Sequence, residues 1–211
     1  MSKINEVAEL VEKGKAKLVG SAVQEAIDEG DDPVAILNDG MISAMSVVGE
    51  KFKNGEIFVP EMLVAARAMK KGVEVLKPHL ATGATGSMGK LIIATVAGDL
   101  HDIGKNLVAM MIESAGFEVI DLGVDVPASK IIECYKENPD VKVIALSALL
   151  TTTMPSLKDT VAAINSEDFR GKVKVMVGGA PITDAFAKEI GADGYSEDAA
   201  SAAVLAKALV A

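Results

Sequence analysis

Residues 91–108, LIIATVAGDLHDIGKNLV, combine a short apolar run, a loop of charged and small residues, and the start of an amphipathic helix. The run at residues 91–97 is almost entirely apolar, and a run of that length is typical of a strand buried on both faces. Gly98 ends it, and the apolar spacing of a helix follows over residues 105–115. A buried strand followed directly by a helix is half of a βαβ unit, so this stretch predicts a parallel sheet covered by helices.

The same alternation of strand and helix continues to the C-terminus. The other predicted strands are at residues 117–122, 141–147, 172–177 and 193–195, and the other helices are at 129–138, 155–165, 182–190 and 199–210. Five strands in this arrangement predict an α/β domain over residues 90–211 with a flavodoxin-like (Rossmann-like) five-stranded parallel sheet. Ligands of such sheets bind beyond the carboxyl ends of the strands. The candidate loops are therefore residues 98–104, 123–127, 147–153, 178–181 and 195–198.

Residues 1–80 have helical spacing of apolar residues throughout, interrupted by helix-stopping signals at Gly30, at Asn54-Gly55 and at Pro78. This pattern predicts a small N-terminal bundle of four amphipathic helices. Residues 81–89, ATGATGSMG, are small and rich in Gly and Thr, and we interpret them as a linker between the bundle and the α/β domain.

Composition disfavours several classes of protein. A formal net charge of −9 and an aromatic content of 3%, with no Trp, argue against a nucleic-acid-binding protein, which needs a basic surface and stacking side chains. No apolar run is long enough to cross a bilayer, and the first residues do not resemble a secretory signal, so no membrane association is expected. The single cysteine, Cys134, excludes an intramolecular disulfide. Together these features predict a cytoplasmic protein.

The loop after the first predicted strand contains the pattern D-x-H-x-x-G, at Asp99, His101 and Gly104. In the simplest interpretation the loop only starts a helix, which Asp99 or Asp102 caps. In the alternative His101 binds a transition metal and donates its second ring N–H to Asp99, while Gly104 leaves room for a bulky ligand. The loop has no second His or Cys, so most of the metal's ligands would have to come from a macrocycle.

Two further loops carry weaker patterns. The loop from Ser147 to Thr153 is either a polar strand end that caps the next helix or a hydroxyl-lined slot with apolar walls, suited to a flat heterocycle. Gly178 and Gly179 form either a plain turn between strand and helix or a place where a bulky ligand chain lies against the backbone.

Taken together, these three loops resemble the cobalamin-binding family that includes the B12-binding region of methionine synthase and the corrinoid proteins of methyltransferase systems. The family pattern of D-x-H-x-x-G, S-x-L and G-G is matched by Asp99/His101/Gly104, by Ser147/Leu149 and by Gly178/Gly179. The stretch VGEKFKNGEIFVP at residues 48–60 also resembles the helical cap of that family. The resemblance therefore covers nearly the whole chain.

The resemblance implies cobalamin or a related corrinoid as cofactor, with its nucleotide base displaced from cobalt and His101 as the lower axial ligand. Asp99 would accept a hydrogen bond from His101, and Thr153 would stand where the family often has a Ser hydroxyl. Phe52 and Val59 would lie over the upper face of cobalt, where the family often has Leu in place of Val59. The other expected cofactor contacts are the neighbours Asp102, Ile103 and Thr151, together with Ser147, Leu149, Gly178 and Gly179 along the nucleotide tail and Tyr195 at its end.

In function, the resemblance implies a methyl carrier that is not catalytic alone. A substrate-specific methyltransferase would load Co(I) from methanol, a methylamine, a betaine or an aryl methyl ether. A second methyltransferase would pass the methyl group from methyl-Co(III) to a thiol or tetrahydrofolate, and a reductive activase would restore inactive cobalt. Such carriers serve one-carbon metabolism in anaerobic microbes.

Two other functions fit parts of the sequence. A cobalamin-dependent sensor or regulator shares the cap and the D-x-H-x-x-G loop, but it normally adds a DNA-binding domain. The small subunit of an adenosylcobalamin mutase would explain residues 90–211 but not the helical segment before them.

Overall fold

The computed structural model describes residues 2–79 and 88–211. They fall into two compact units, Met1–Ser87 with Ser114–Gly116, and Met88–Glu113 with Phe117–Ala211. Residues 80–87, which include most of the predicted linker at residues 81–89, lie outside the described residues. No helix in the described ranges is both long enough and apolar enough to span a membrane.

The second unit is built on a five-stranded parallel sheet with the strand order β2-β1-β3-β4-β5. This confirms the predicted flavodoxin-like arrangement. The strands are β1 (Lys90–Thr95), β2 (Glu118–Asp121), β3 (Val141–Ser147), β4 (Lys174–Gly178) and β5 (Gly194–Ser196). The helices of this unit are α6 (Ile103–Ser114), α7 (Ala128–Glu137), α8 (Met154–Asn165), α9 (Asp184–Ile190) and α10 (Ala199–Val210).

One face of the sheet carries the main hydrophobic core of this unit. Alternate side chains of β1, β3 and β4 point to that face because side chains along a strand project to opposite sides in turn. They pack against apolar residues of α7, α8 and α9, which are wholly or largely buried. Fully buried members include Ile92, Ile144, Val175, Leu157 and Ile131. The continuous apolar character of β1 and β3 follows from burial on both faces.

The opposite face bears a row of small residues where the strands end. The register pairs Thr95 with Ser147, Ser147 with Gly178, and Gly178 with Ser196. Residues paired in register project to the same face, so Thr95, Ser147 and Ser196 extend side by side. The sheet register therefore brings the ends of β1, β3, β4 and β5 to one level.

Some predicted boundaries differ from those observed by one or two residues, and the end of β1 is one of them. The strand ends at Thr95 rather than at residue 97, because Val96 makes only an isolated bridge to Val126 and Gly98 turns the chain with φ 82°. The helix α6 begins at Ile103, two residues before the predicted start. The loop that contains His101 is therefore short.

The first unit is helical, with α1 (Lys3–Glu12), α2 (Ala16–Asp28), α3 (Pro33–Ala35), α4 (Ser43–Lys53) and α5 (Val59–Leu76). Asp32 caps α3 by accepting from the N–H of Val34 at 3.2 Å, and Pro33 occupies the first helical position. A π-helical segment, Ile36–Ile42, connects α3 to α4 without a break, a feature that the sequence pattern did not predict. Buried side chains of this unit include Val7, Val23, Met41, Met62 and Leu76.

Candidate functional site

The carboxylate of Asp99 is the centre of the candidate site. Its side chain is fully buried and accepts four hydrogen bonds. Oδ1 accepts from the backbone N–H of His101 at 3.1 Å and lies 2.6 Å from Nδ1 of the same residue. Oδ2 accepts from the N–H of Leu149 and from the hydroxyl of Thr153, both at 2.7 Å. The loop after β1 and the loop after β3 therefore meet on one carboxylate.

These contacts keep Asp99 ionised. Burial by itself raises the pKa of a carboxyl group, but hydrogen bonds from Leu149, His101 and Thr153 stabilise the charged form. The hydrogen bonds outweigh burial, so the pKa of Asp99 lies well below its usual range. A carboxylate that stays charged can only accept, so the proton between Asp99 and His101 belongs to Nδ1.

The imidazole of His101 is consequently fixed in one tautomer. With Nδ1 protonated against Asp99, the lone pair of the neutral ring is on Nε2. The side chain is 47% exposed although its partner is fully buried. Over residues 2–79 and 88–211, no hydrogen bond engages Nε2. The ring therefore presents one nitrogen that is free to bind a metal.

Thr153 contributes a hydroxyl group to the site. It is buried, and its hydroxyl has two nearby acceptors, Asp99 Oδ2 at 2.7 Å and the carbonyl of Leu150 at 2.9 Å. One proton serves one of them at a time, and the charged carboxylate is the stronger acceptor. The γ-methyl group packs towards Gly98, where a Cβ atom would lie 3.8 Å from it.

Thr95 and Ser147, at the ends of β1 and β3, hold the loop that contains His101. The hydroxyl of Thr95 donates to the carbonyl of His101 at 3.0 Å, and its oxygen lies 2.8 Å from the hydroxyl oxygen of Ser147. Because the proton of Thr95 goes to His101, Ser147 is the donor in this second bond. Thr95 was not among the predicted site residues, since a threonine inside an apolar strand gives no sequence signal of its own.

Several apolar side chains of the two loops that meet at Asp99, and of the start of α6, are exposed at the surface. Leu100 and Ile103 are 72% and 82% exposed, and Leu149 and Leu150 are about half as exposed. Nothing within 4 Å would meet a Cβ atom at Gly104. Exposed apolar residues around one free metal ligand suit a large, partly apolar ligand. Asp102 and Thr151 are exposed as well, and Asp102 accepts from the side chain of Asn106 at 3.2 Å.

The two glycines after β4 have different surroundings. A Cβ atom at Gly179 would lie 1.9 Å from the carbonyl oxygen of Ala148, and the φ of this residue is 126°. A Cβ atom at Gly178 would lie 3.1 Å from the carbonyl oxygen of Ser196. Close approach of neighbouring backbone therefore explains Gly179 without any ligand, which agrees with the plain turn that the sequence interpretation gave as one alternative.

An ion pair between buried Lys105 and exposed Asp121 fixes the start of α6. Lys105 is almost fully buried, and its ammonium group donates to Asp121 at the end of β2 and to Asn106 Oδ1. A buried ammonium group needs such partners, because an unpaired charge in the interior is strongly unfavourable. Lys105 follows the predicted motif directly, but a lysine at the start of a helix normally indicates an exposed side chain.

Phe52 and Val59 belong to the first compact unit, at the end of α4 and the start of α5. The turn between them contains Gly55, whose φ is 73°. Phe52 is half-buried and Val59 is 37% exposed, while Phe58 between them is 68% exposed. Two large apolar side chains are thus exposed or partly exposed at the entrance of α5.

The part of the chain that the structure describes contains no group of three or more His, Cys, Asp or Glu side chains able to hold a metal ion. A metal at this site could therefore receive one imidazole nitrogen, that of His101, which a buried carboxylate holds in place. Such a site can complete the coordination of a metal that brings its other ligands with it.

Comparisons with known proteins match both halves of the chain. Two models of a B12 binding domain match, one over residues 3–77 and the other over residues 89–204. The dimethylamine corrinoid protein 1 of Methanosarcina acetivorans is 45% identical over 210 residues, which are 99% of this chain and 97% of that protein. The trimethylamine corrinoid protein 2 of the same organism is 44% identical over 92% of this chain and 90% of its own length.

Among solved structures, the methanol:cobalamin methyltransferase complex of Methanosarcina barkeri contains a chain that is similar in fold. The TM-score is 0.83 at 31% identity, over 99% of this chain and 79% of that chain. Similarity of fold and sequence thus extends over both compact units.

Proposed function

This chain belongs to the B12-binding family, as a corrinoid protein of a methyltransferase system with cobalamin as cofactor, and we propose that it carries methyl groups on cobalt with His101 as the lower axial ligand. The observation that supports this role most directly is the hydrogen bond between Asp99 and His101 Nδ1 at 2.6 Å, which leaves Nε2 free.

The residues around His101 fit a corrinoid. A corrin ring supplies four nitrogen ligands in a plane, so the protein has to provide one axial ligand and space for a wide, partly apolar ring. His101 is one such ligand, Leu100 and Ile103 are exposed beside it, and Gly104 has open space where a Cβ atom would be. Bound cobalt supplies the site that accepts a methyl group and gives it up again.

The protein's own task in this function is to hold the imidazole. In our proposal Asp99 keeps the proton on Nδ1 and directs Nε2 to cobalt, in place of the nucleotide base of the cofactor. Leu149 and Thr153 fix Asp99 from the neighbouring loop. A ligand bound through one nitrogen while a carboxylate holds the other is more basic and better oriented than a free imidazole.

We further propose a division of labour along the chain. Residues 90–211 hold the cofactor, residues 1–80 form the helical cap, and residues 81–89 link them. In this proposal Ser147, Leu149, Gly178 and Gly179 contact the nucleotide tail. Asp102, Ile103 and Thr151 are further contacts of the cofactor. Phe52 and Val59 contact the upper face of the cofactor.

We propose a methylated amine as the methyl donor. The relatives named for dimethylamine and trimethylamine are 45% and 44% identical to this chain, whereas the matching chain of the methanol complex is 31% identical. The two amine relatives are almost equally similar, so identity alone does not choose between them. In this proposal a methylamine methyltransferase loads the protein, a second methyltransferase unloads it to a thiol or tetrahydrofolate, and a reductive activase restores inactive cobalt.

The axial ligand can be tested by electron paramagnetic resonance of the Co(II) form, reconstituted with cobalamin in protein that contains ¹⁵N-histidine. We expect the nuclear spin of a histidine nitrogen to split the cobalt lines in the wild type and in His79→Ala, but not in His101→Ala. The chain has two histidines, so His79→Ala is the matched control. Splitting by the nucleotide base in the wild type would contradict the proposal.

The space beside the ligand can be tested with Gly104→Ala. Since nothing lies within 4 Å of the added Cβ atom, the cofactor-free variant is expected to keep its melting temperature while its affinity for cobalamin falls. Gly171→Ala is the control, because that position is equally open and lies away from the His101 loop. Unchanged cobalamin affinity in Gly104→Ala would argue against a corrin ring at this place.

A further inference from the structure

Asp125, in the loop after β2, has an unusual backbone conformation. Within the described ranges it is the only residue other than glycine with a positive φ, 53°. Aspartate tolerates this left-handed region better than most residues, but the conformation is still less favourable than the usual ones. Its side chain is exposed, so packing in the core does not compensate for this cost.

The conformation belongs to a bulge beside β1. The N–H of Leu122 donates to the carbonyl of Ile93 at 2.9 Å, and a regular parallel ladder would continue with the N–H of Val124 donating to the carbonyl of Thr95. Instead Val126 donates to Thr95 at 3.0 Å, so that two residues, Val124 and Asp125, are extra. Bulges redirect a side chain and are frequent next to functional sites.

The side-chain carboxylate and the backbone N–H of Asp125 both bind the loop that contains His101. Asp125 Oδ1 accepts from the N–H of Gly98 at 2.7 Å, and the N–H of Asp125 donates to the carbonyl of Asp99 at 2.9 Å. The two bonds hold the two ends of the segment Gly98–Asp99, immediately before the carboxylate that orients His101. The Asp125 side chain makes no other hydrogen bond or ion pair within residues 2–79 and 88–211.

We infer that Asp125 is a positioning residue for the axial ligand: its bulge fixes the Gly98–Asp99 segment, and thereby the carboxylate to which His101 is bonded. This inference rests on the proposed ligation of cobalt by His101. Asp125 does not touch His101, and it acts through Asp99. Outer partners of metal-binding histidines typically change metal affinity by roughly 10–100-fold, and we expect Asp125 to be at the lower end because it is one step further away.

The test uses the full chain with Asp125→Gly and Asp125→Asn. Glycine adopts the positive φ without strain but removes the acceptor for Gly98. Asparagine tolerates the same φ and keeps an acceptor oxygen, but it has no charge. If the hydrogen bond positions the loop, Asp125→Gly should bind cobalamin roughly tenfold more weakly and show the histidine splitting in only part of the Co(II) population. Asp125→Asn should retain the wild-type spectrum.

A second measurement needs no cofactor. Amide hydrogen exchange in the cofactor-free protein reports on the N–H groups of His101 and Leu149, which both donate to Asp99. We expect faster exchange at these amides in Asp125→Gly than in Asp125→Asn, with similar melting temperatures for the two variants. This comparison separates a displaced loop from general loss of stability.

Three results would overturn the inference. The first is an Asp125→Gly variant with wild-type affinity, splitting and amide exchange. The second is an Asp125→Asn variant as impaired as Asp125→Gly, which would point to charge instead of the hydrogen bond. The third is a wild-type protein without histidine splitting. That result would also overturn the proposed function, and it is visible before any Asp125 variant is made.

Discussion

At the scale of single residues, the relation between Asp99 and His101 is what sequence can predict well. Two residues of the required types stand two positions apart in one short loop, and the structure has Nδ1 of the histidine 2.6 Å from the carboxylate. The predicted contact of Leu149 with the nucleotide tail stays a prediction. The structure adds a second role, because the backbone N–H of Leu149 binds Asp99, and backbone groups leave no trace in a sequence pattern.

Thr153 offers a test at the same scale. Thr153→Val keeps the shape of the side chain but removes the proton donor to a buried carboxylate, which should lower the free energy of unfolding by about 1.5–3 kcal/mol. Thr153→Ser keeps the hydroxyl and loses one methyl group, so its loss should stay below about 1 kcal/mol. Chemical denaturation of the cofactor-free proteins measures both changes. Equal losses would show that the methyl group, and not the hydrogen bond, is what matters.

Tyr135 is a residue whose hydroxyl gains nothing from the fold. It is 2% exposed, and its ring stacks on Phe169 with 4.1 Å between centroids. Among the described residues its hydroxyl oxygen has no hydrogen-bond partner. Tyr135→Phe removes this unpaired polar atom and keeps the stacking, so the free energy of unfolding should rise by about 1 kcal/mol. Tyr195→Phe, on β5, is the control and should change it by less than about 0.5 kcal/mol. A loss of stability in Tyr135→Phe would reveal a hidden partner of the hydroxyl, such as a buried water.

At the scale of elements, the sheet and its strand order follow from the sequence because alternating apolar strands and amphipathic helices have few other ways to pack. The bulge at Val124 and Asp125 could not be predicted in this way. Hydrophobic periodicity shows which residues are buried, but it does not show that two residues are extra in a ladder. The sequence pattern did not predict the π-helical segment Ile36–Ile42 for a similar reason, because its apolar residues recur at nearly the spacing of an α-helix.

Gly179 links two elements and gives a prediction at this scale. In Gly179→Ala the added Cβ atom would overlap the carbonyl oxygen of Ala148, and the positive φ would be strained as well. Because the obstacle is backbone, the loops after β3 and β4 must move apart, and the free energy of unfolding should fall by at least about 3 kcal/mol. Gly171→Ala, which meets no atom within 4 Å, should change it by less than about 1 kcal/mol. Thermal or chemical denaturation of the cofactor-free proteins decides the matter, and equal effects in both variants would contradict this explanation.

At the scale of the whole molecule, the two compact units coincide closely with the two matches to B12 binding domains, at residues 3–77 and 89–204. The five loops that the sequence placed at the carboxyl ends of the strands all belong to the second unit. The assignment of the first unit to the upper face of the cofactor came from resemblance, because helical patterns alone do not indicate what a bundle covers.

A fragment of residues 88–211 tests this division. All of the hydrogen bonds to Asp99 lie within it, so the fragment is expected to bind cobalamin and to gain thermal stability from it, since a ligand that binds only the folded state stabilises that state. The upper side of cobalt should be more accessible than in the full chain, and faster reaction of the bound cofactor with an added alkylating reagent after reduction would show this. Circular dichroism is the control for folding. A folded fragment that binds no cobalamin would contradict the proposed division.

The row formed by Thr95, Ser147, Gly178 and Ser196 has a consequence for how the sequence of such a protein can evolve. These four residues carry few side-chain atoms. The depth to which a ligand can enter between the strand ends and the facing helices is therefore set by the backbone of the sheet. Loops tolerate insertions and can vary in length, whereas a position inside a ladder can only exchange one side chain for another. The depth of the site is therefore fixed by the strands. Changes in the length or sequence of the surrounding loops do not alter that depth.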